Sequence, residues 1–192
     1  MKNIAIAAVL LVLAACAPRF EPAGPAVQAP QLQNDRIIQA DGTALPLRTW
    51  LPKGTPHAVI VALHGMNDYS RAFENPGAYW AARGIATYAY DQRGFGKAPN
   101  RGLWAGHATL TADLAAAIVL IRTRHPGVPL YVAGESMGGA VALIGGARRL
   151  FKADGLILVA PALRGRRYIG VLPRATLWLG VRTIPWYPLT GQ

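Results

Sequence analysis

The stretch VAGESMGGA, at residues 132–140, contains the side chain of this sequence that is best suited to covalent chemistry. It frames Ser136 between Gly134 and Gly138, a spacing found around hydrolytic nucleophiles. A serine hydroxyl is a weak nucleophile by itself and needs a general base beside it. The last histidine of the sequence, His125, comes before the serine. The spacing therefore predicts a nucleophile without showing where its base is.

The pattern around Ser136 predicts a strand before it, at 128–133, and a helix after it, at 137–150. A sharp turn between the two would lift the serine side chain above a sheet, and glycines on both sides would let neighbouring backbone approach closely. The helix start adds free N–H groups and a positive dipole end, which favour a developing oxyanion. The alternative is a Gly-rich strand–helix turn with no chemical role.

Predicted strands and helices, which would position this turn, alternate along the chain. The turn dipeptide Asp41-Gly42 predicts an N-terminal hairpin, and Pro46 favours an edge position for its second strand. Further strands are predicted at 58–63, 85–90 and 155–160, and further helices at 72–83 and 109–124. The strands at 58–63 and 155–160 are continuous apolar runs, as expected for strands buried on both faces. The alternation predicts an α/β fold, with a mostly parallel sheet and helices on both faces.

Three segments together resemble a known family: residues 62–70 (ALHGMNDYS), 90–96 (YDQRGFG) and 134–139 (GESMGG). In order and spacing they are similar to the α/β-hydrolase superfamily over about residues 36–165. Within it they most resemble the monoacylglycerol lipase, lysophospholipase and serine aminopeptidase S33-like branch. The Gly94-x-Gly96 pair within them is not a dinucleotide fingerprint, because the third glycine is missing.

The resemblance implies a serine hydrolase of carboxylic esters that works through an acyl-enzyme. Ser136 would be the nucleophile, and the backbone amides of Met66 and Met137 would form the oxyanion hole. The residues expected to support these two loops are His64, Gly65, Gly134 and Gly138. His64 follows the wrong strand to be the family's base, so a role in holding its loop is expected. The implied substrate is a lipid or small acyl ester, with no cofactor and no metal.

The sequence departs from the family pattern after Ser136. In this fold the triad acid and then the histidine follow the serine along the chain. Here no histidine follows it, and the only later acid, Asp154, precedes a strand where the family carries no triad member. We therefore expect the N-terminal part of a hydrolase, truncated after the sixth strand and the start of the cap. The alternatives are a non-catalytic envelope lipoprotein that uses the fold as a binding module, and a peptidase of the same branch.

The N-terminal residues 1–16, MKNIAIAAVLLVLAAC, have the charge, the short apolar run and the small residues of a secretory signal. Their end, Leu13-Ala14-Ala15-Cys16, resembles a bacterial lipobox, which implies lipidation of Cys16. The expected location is then the periplasmic side of the cell envelope, at the outer membrane because residue 17 is Ala rather than Asp. The alternative is an ordinary signal peptide. Residues 17–35 are rich in Pro and Ala and predict an extended tether.

The composition limits the possible classes of protein. With 192 residues, 52% of them hydrophobic, the chain suits one folded domain at 36–165. Its formal charge of +11 arises largely after Ser136, where eight basic residues accompany one acid. No nucleic-acid motif accompanies them, so we expect a solvated face or contact with an anionic membrane rather than nucleic acid. The lone cysteine excludes an intrachain disulfide.

Residues 166–192 combine arginines with Trp178, Trp186 and Tyr187. By the resemblance this segment is the start of a cap over an acyl-binding cleft. Two alternatives remain: a segment that packs on the missing half of the fold, and an amphipathic stretch at a membrane surface. The apolar spacing from Val171 to Leu179 predicts that part of it is helical.

Overall fold

The computed structural model describes residues 20–163 and 169–183. Residues 21–162 form one compact unit, and the helix at 171–183 belongs to a second unit. The strands are β1 (Gln31–Leu32), β2 (Arg36–Ile38), β3 (Ala44–Trp50), β4 (Ala58–Leu63), β5 (Ile85–Tyr90), β6 (Leu130–Glu135) and β7 (Gly155–Val159). The helices are α1 (Glu74–Ala81), α2 (His107–Arg124), α3 (Met137–Ala147) and α4 (Val171–Thr183), and a short 3-10 helix, Ser70–Phe73, precedes α1.

The seven strands form a single sheet in the order β1-β2-β3-β5-β4-β6-β7. Three neighbouring pairs are antiparallel: β1 with β2, β2 with β3, and β3 with β5. The other three are parallel: β5 with β4, β4 with β6, and β6 with β7. Parallel neighbours need crossover connections, which here are made by α1, α2 and α3. The predicted class, an α/β fold with a mostly parallel sheet, is confirmed.

The sheet has an apolar core on each face, and the central strand β4 contributes to both. Its Val59 and Leu63 belong to the larger core, which includes the inner faces of α2 and α3. Its Ile60 belongs to the smaller core, against Phe73 and the partly buried Trp80 of the 3-10 helix and α1. Because residues alternate between faces along a strand, a strand covered on both sides must be apolar throughout. This is why β4 reads as an unbroken apolar run.

The prediction of an edge position for Pro46 was wrong. β3 lies inside the sheet, where its first half pairs with β2 and its second half, from Leu47, pairs with β5. Pro46 sits at this change of partner, and its carbonyl accepts the Asp91 N–H at 2.8 Å. A proline is tolerated there because its carbonyl still accepts this hydrogen bond from the residue directly after β5. Only the N–H donor, which proline lacks, is missing from the sheet.

The predicted helix at 72–83 is two elements, the 3-10 helix Ser70–Phe73 and α1. The predicted strand at 155–160 is β7, which lies at one end of the described sheet. Its sequence is the apolar run of a strand buried on both faces, but at this end of the sheet the side chains from Leu156 to Val159 are 37–54% exposed.

Residues 21–28 form a strap that is attached to the folded unit, where a free tether was expected. The Glu21 N–H donates to the Trp104 carbonyl at 3.0 Å, and the Ala23 N–H donates to Thr109 Oγ1 at 3.2 Å. Val27 donates to the Ala40 carbonyl at 2.8 Å. Shortly after, β1 pairs with β2 and so adds a strand to the six expected. A run of Pro, Ala and Gln does not signal these bonds, because they depend on partners far along the chain.

A buried ion cluster fastens the hairpin and α2 to the loop after β5, and the Gly24 N–H of the strap donates to Asp41 Oδ2 of this cluster at 3.1 Å. Arg93 donates through Nε to Asp113 Oδ2 at 2.7 Å and through Nη1 to Asp41 Oδ2 at 2.7 Å. The three side chains are only 10%, 4% and 7% exposed. Burial raises the pKa of Asp113 to about 6 against the effect of Arg93, whereas the hydrogen bonds from Arg93 hold the pKa of Asp41 well below its usual range. One guanidinium is thus shared by two carboxylates of unequal acidity, and its single positive charge offsets only one of their two negative charges at neutral pH.

The second unit contains α4, whose described apolar side chains are largely exposed, with Val171 at 83% and Trp178 at 56%. The Arg182 guanidinium lies 4.2 Å from the centre of a Trp178 ring. In the part of the chain that the structure describes, no helix is long and apolar enough to cross a membrane. The predicted signal and Cys16, together with Trp186 and Tyr187 of the cap segment, lie outside the described residues.

We predict that Arg93→Met destabilises the chain by about 3–5 kcal/mol, because it leaves two buried carboxylates without their cation. Urea unfolding followed by circular dichroism measures the effect. The matched control is Arg36→Met, since Arg36 pairs with Asp35 in the open, with side chains 47% and 67% exposed. The control should leave the midpoint nearly unchanged. Equal midpoint shifts for the two variants would contradict a structural role for the cluster.

Candidate active site

Ser136 occupies a strained turn between β6 and α3. Its φ of 48° and ψ of −109° lie in a region that non-glycine residues rarely adopt. The turn is held on both sides: the Ser136 N–H donates to the Val159 carbonyl at 2.9 Å, and its carbonyl accepts the Ala162 N–H at 2.9 Å. Strain of this kind persists only where the surroundings fix it, and it clusters at functional sites.

Two glycines make the turn sterically possible. A Cβ atom on Gly138 would overlap the carbonyl oxygen of Leu63, at the end of β4. A Cβ atom on Gly134 would lie 2.5 Å from the carbonyl oxygen of Gly138. Such distances are far below van der Waals contact, so any side chain at either position would force the backbone apart. The glycines around the serine therefore serve close packing of α3 on the sheet.

The loop after β4 meets Ser136 at the same edge of the sheet. A Cβ atom on Gly65 would lie in ordinary contact with Ser136 Cβ, at 3.6 Å. Met66 follows in this loop, with its side chain 59% exposed, whereas the side chain of Met137 is buried. Met137 is the first residue of α3, so its N–H has no partner within the helix. The structure thus brings the two loops that carry the predicted oxyanion amides together beside the serine.

His64 is fully buried and holds its loop in place. Its Nδ1–H donates to the Gly65 carbonyl at 2.7 Å, and its Nε2 accepts the Gln92 N–H at 2.9 Å. The Gln92 side chain donates back to the His64 carbonyl at 2.9 Å. Burial lowers the pKa of His64, which favours the neutral ring that this bonding requires. With both nitrogens engaged, His64 is not available as the base for Ser136.

The same loop is braced by Asp91, a residue for which the sequence suggested only a structural turn. Its Oδ1 accepts the Ser70 N–H and its Oδ2 accepts the Lys97 N–H, both at 2.8 Å. A Cβ atom on Gly96 would overlap Asp91 Oδ2. Sequence reasoning also missed Ala162, whose N–H caps the serine turn from beyond β7. Any residue except proline can donate such a backbone hydrogen bond, so the residue type does not reveal it.

Within the described residues, Ser136 Oγ forms no hydrogen bond with a histidine. His57 Nε2 donates to the Arg83 carbonyl at 2.8 Å, and His125 Nε2 is bonded to the Tyr88 hydroxyl at 2.7 Å. Asp154, the one acid after the serine, accepts the Leu130 N–H at the start of β6, at the opposite edge of the sheet. The described part of the chain also holds no group of three or more acidic, His or Cys side chains arranged for a metal ion.

We predict that Gly138→Ala lowers stability by at least about 1–3 kcal/mol, the usual cost of overpacking, because the new methyl group meets backbone that cannot move aside. The control lies in the same helix: a Cβ on Gly146 would lie 3.4 Å from a flexible Leu156 methyl group. Gly146→Ala should be neutral or stabilising by up to about 1 kcal/mol. Urea unfolding of both variants tests this, and a Gly138→Ala chain as stable as the control would refute the packing argument.

Comparison with known proteins shows which family and which relatives the chain resembles. The family model described as serine aminopeptidase, S33 (Hydrolase_4) matches residues 54–192. The human monoglyceride lipase is 29% identical over 126 residues, covering 65% of this chain and 42% of its own length. A monoacylglycerol lipase of Mycolicibacterium smegmatis is 26% identical over 133 residues, covering 69% and 47%. The chain thus spans less than half the length of these relatives.

A solved structure supports the same assignment. The monoacylglycerol lipase of Paleococcus ferrophilus aligns with a TM-score of 0.53 at 25% identity, covering 73% of this chain and 52% of that one. The family model covers most of the chain, and the relatives carry the same name as the branch indicated by the three motifs. The chain belongs to the serine aminopeptidase S33 family of α/β-hydrolases.

Proposed function

We propose that Ser136 is the nucleophile of a serine hydrolase that cleaves carboxylic esters of lipids, such as monoacylglycerols or lysophospholipids. The observation that carries the proposal is the strained Ser136 turn at the start of α3, beside the Gly65-Met66 loop. A serine in this position is exposed to an acyl group, while two amides can approach the same carbonyl oxygen. The relatives are named monoglyceride and monoacylglycerol lipases, and these names supply the proposed substrate class.

In the proposed reaction Ser136 Oγ attacks the acyl carbon, and its proton passes to a general base. The amides of Met66 and Met137 hold the oxyanion of the tetrahedral intermediate. Its collapse breaks the ester bond, and the base returns the proton to the leaving alcohol. Water then attacks the acyl-enzyme in the same way and releases the fatty acid. The base is the one part of this scheme for which the described residues offer no candidate bonded to Ser136.

A peptidase is the second candidate, because the matching family model is described as serine aminopeptidase. The same serine and oxyanion amides would serve amide cleavage, so the fold does not separate the two. Parallel assays with monoacylglycerols and with aminoacyl amides do so. The proposal expects ester cleavage to dominate, and preferential release of N-terminal amino acids would favour the peptidase.

We further propose that Cys16 carries a lipid that anchors the domain to a cell-envelope membrane, on the periplasmic side. The support is the lipobox-like Leu13-Ala14-Ala15-Cys16 behind a short apolar run. A lipid ester substrate would then be present at the surface to which the enzyme is attached.

We predict that, in a full-length protein that carries these motifs and also supplies the general base, a fluorophosphonate probe labels Ser136 and Ser136→Ala abolishes the labelling. Loss of a nucleophilic serine lowers kcat by up to about 10⁶, so ester hydrolysis should fall to background as well. The sequence contains only one other serine, Ser70, which provides a matched control. Ser70→Ala keeps the backbone N–H that donates to Asp91, and it should label like the wild type. A label on another residue, or one that persists in Ser136→Ala, would overturn the assignment.

We predict that an alkynyl fatty acid supplied to growing cells labels the wild-type chain and not Cys16→Ser. Cys16 is the only cysteine, so a thiol-linked lipid has no second site. In-gel fluorescence after click coupling is the measurement. Equal labelling of both chains would rule out attachment at Cys16.

A further inference from the structure

A basic and aromatic loop lies where the N-terminal chain enters the folded unit. In loop 97–104, which follows β5, Lys97 and Arg101 are exposed and Trp104 is 36% exposed. No acidic residue occurs between positions 97 and 107, and the exposed carboxylate of Glu21 in the strap accepts a hydrogen bond from Asn100 Nδ2 of the loop at 3.3 Å. The Trp104 carbonyl accepts the Glu21 N–H at 3.0 Å, so the strap begins directly beside this loop. Indole rings and cationic side chains are the groups that proteins place at the headgroup level of membranes.

The backbone of this loop has a fixed shape. The Gly102 N–H donates to the Gly94 carbonyl at 2.8 Å, and the Leu103 N–H donates to the Asn100 carbonyl at 2.9 Å. Gly94 has a φ of 80°, and a Cβ atom there would overlap the Leu103 carbonyl oxygen. The loop is therefore folded back on its own start, and the bond from Lys97 N–H to Asp91 fastens it to the site.

The attached strap shortens the distance between the domain and the proposed anchor. An extended chain spans about 3.3–3.6 Å per residue, so the five steps from Cys16 to Glu21 cover no more than ~18 Å. Had residues 17–35 been a free tether, the domain could have turned in any direction beneath the membrane. The bonds of Glu21, Ala23 and Val27 remove most of that freedom. A lipid on Cys16 would hold loop 97–104 close to the bilayer surface.

The same edge of the sheet carries the candidate site. Loop 97–104 follows the carboxyl end of β5, and Ser136 follows the carboxyl end of β6. These strands belong to the parallel part of the sheet, so their carboxyl ends lie at one edge. An enzyme held by this edge would meet lipid substrates with its serine side facing them.

We propose that loop 97–104 and the strap form a membrane-contacting face that binds anionic phospholipid headgroups. The inference rests on the proposed lipid anchor and adds to it a fixed orientation of the domain. Lys97 and Arg101 pair with headgroup phosphates, and Trp104 lies at the boundary of the acyl chains. The occupant is a membrane rather than a protein or nucleic acid, because the apolar run and the lipid-bearing cysteine leave the domain at this point.

The test uses the full chain, purified with its lipid and reconstituted into vesicles of phosphatidylcholine and phosphatidylglycerol. With Cys16 blocked by lipid, Pro99→Cys provides the only free thiol for a fluorescent label, inside the loop. The matched control is Thr55→Cys, exposed in the turn before β4 and so at the opposite edge of the sheet. Nitroxide-labelled phospholipid should quench the label at position 99 and leave the label at position 55 bright. Equal quenching at both positions, or none at position 99, would overturn the proposal.

Charge variants test the headgroup contact separately. Replacing both Lys97 and Arg101 by Gln should reduce the population in contact with the membrane roughly 30-fold, at about 1 kcal/mol for each charge. The control with the same net charge, Lys53→Gln with Lys152→Gln, changes exposed residues at the other edge and should quench like the parent. Equal losses in the two double variants would show a bulk charge effect and refute a specific face.

Failure of the anchor and failure of the face are distinguishable. A wild-type chain whose Cys16 reacts with thiol reagents lacks the lipid, and the anchor proposal falls. The label at position 99 is then read in a Cys16→Ser background: selective quenching still supports the face, and its absence refutes it. None of these measurements depends on ester turnover, so an inactive chain does not affect them.

Discussion

The contact between Gly138 and the carbonyl of Leu63 is the constraint on which the candidate site depends. It lets the first turn of α3 approach the end of β4 more closely than any side chain at position 138 would allow. As a result the serine turn after β6 and the loop after β4 meet, although they are more than sixty residues apart in the sequence. The φ of 48° at Ser136 is then maintained by bonds to Val159 and Ala162. The strained backbone is that of Ser136 alone, but it is held by β4, by β7 and by the segment that follows β7.

Three consecutive residues after β5 extend this arrangement across the carboxyl edge of the sheet. The Asp91 carboxylate accepts the backbone N–H groups of Ser70 and Lys97. The Gln92 N–H donates to the His64 ring. Arg93 joins Asp41 of the hairpin to Asp113 of α2. Each is buried, so each contact exchanges water for a fixed partner and becomes costly to break. One short segment therefore connects the oxyanion loop with the strap. This connection is the physical link between the candidate site and the proposed membrane-contacting face.

The sequence predicted the parts of the fold that depend on local pattern. The strands β4 and β5 appear at the predicted bounds. For β4 the reason is that a strand buried on both faces must be apolar throughout, and the motif around Ser136 located the turn. Prediction from local pattern failed where contacts with residues far along the chain determine the structure. β1 exists only because Gln31–Leu32 pairs with β2, and Pro46 is tolerated inside the sheet because β3 changes partner beside it. The Arg93 cluster joins residues 52 and 20 positions apart, which no periodicity reveals.

The central claim is that Ser136 becomes acylated with its acyl carbonyl oxygen held by the Met66 and Met137 amides. Isotope-edited infrared spectroscopy tests it directly, on the chain acylated with a ¹³C-carbonyl acyl group from an activated ester and with the modified peptide identified by mass spectrometry. Strong hydrogen bonds to the oxygen weaken the C=O bond, so the account predicts an acyl group on Ser136 whose carbonyl band lies below that of the same ester in water. An acyl group on another residue, or a band at the frequency found in water, would contradict it.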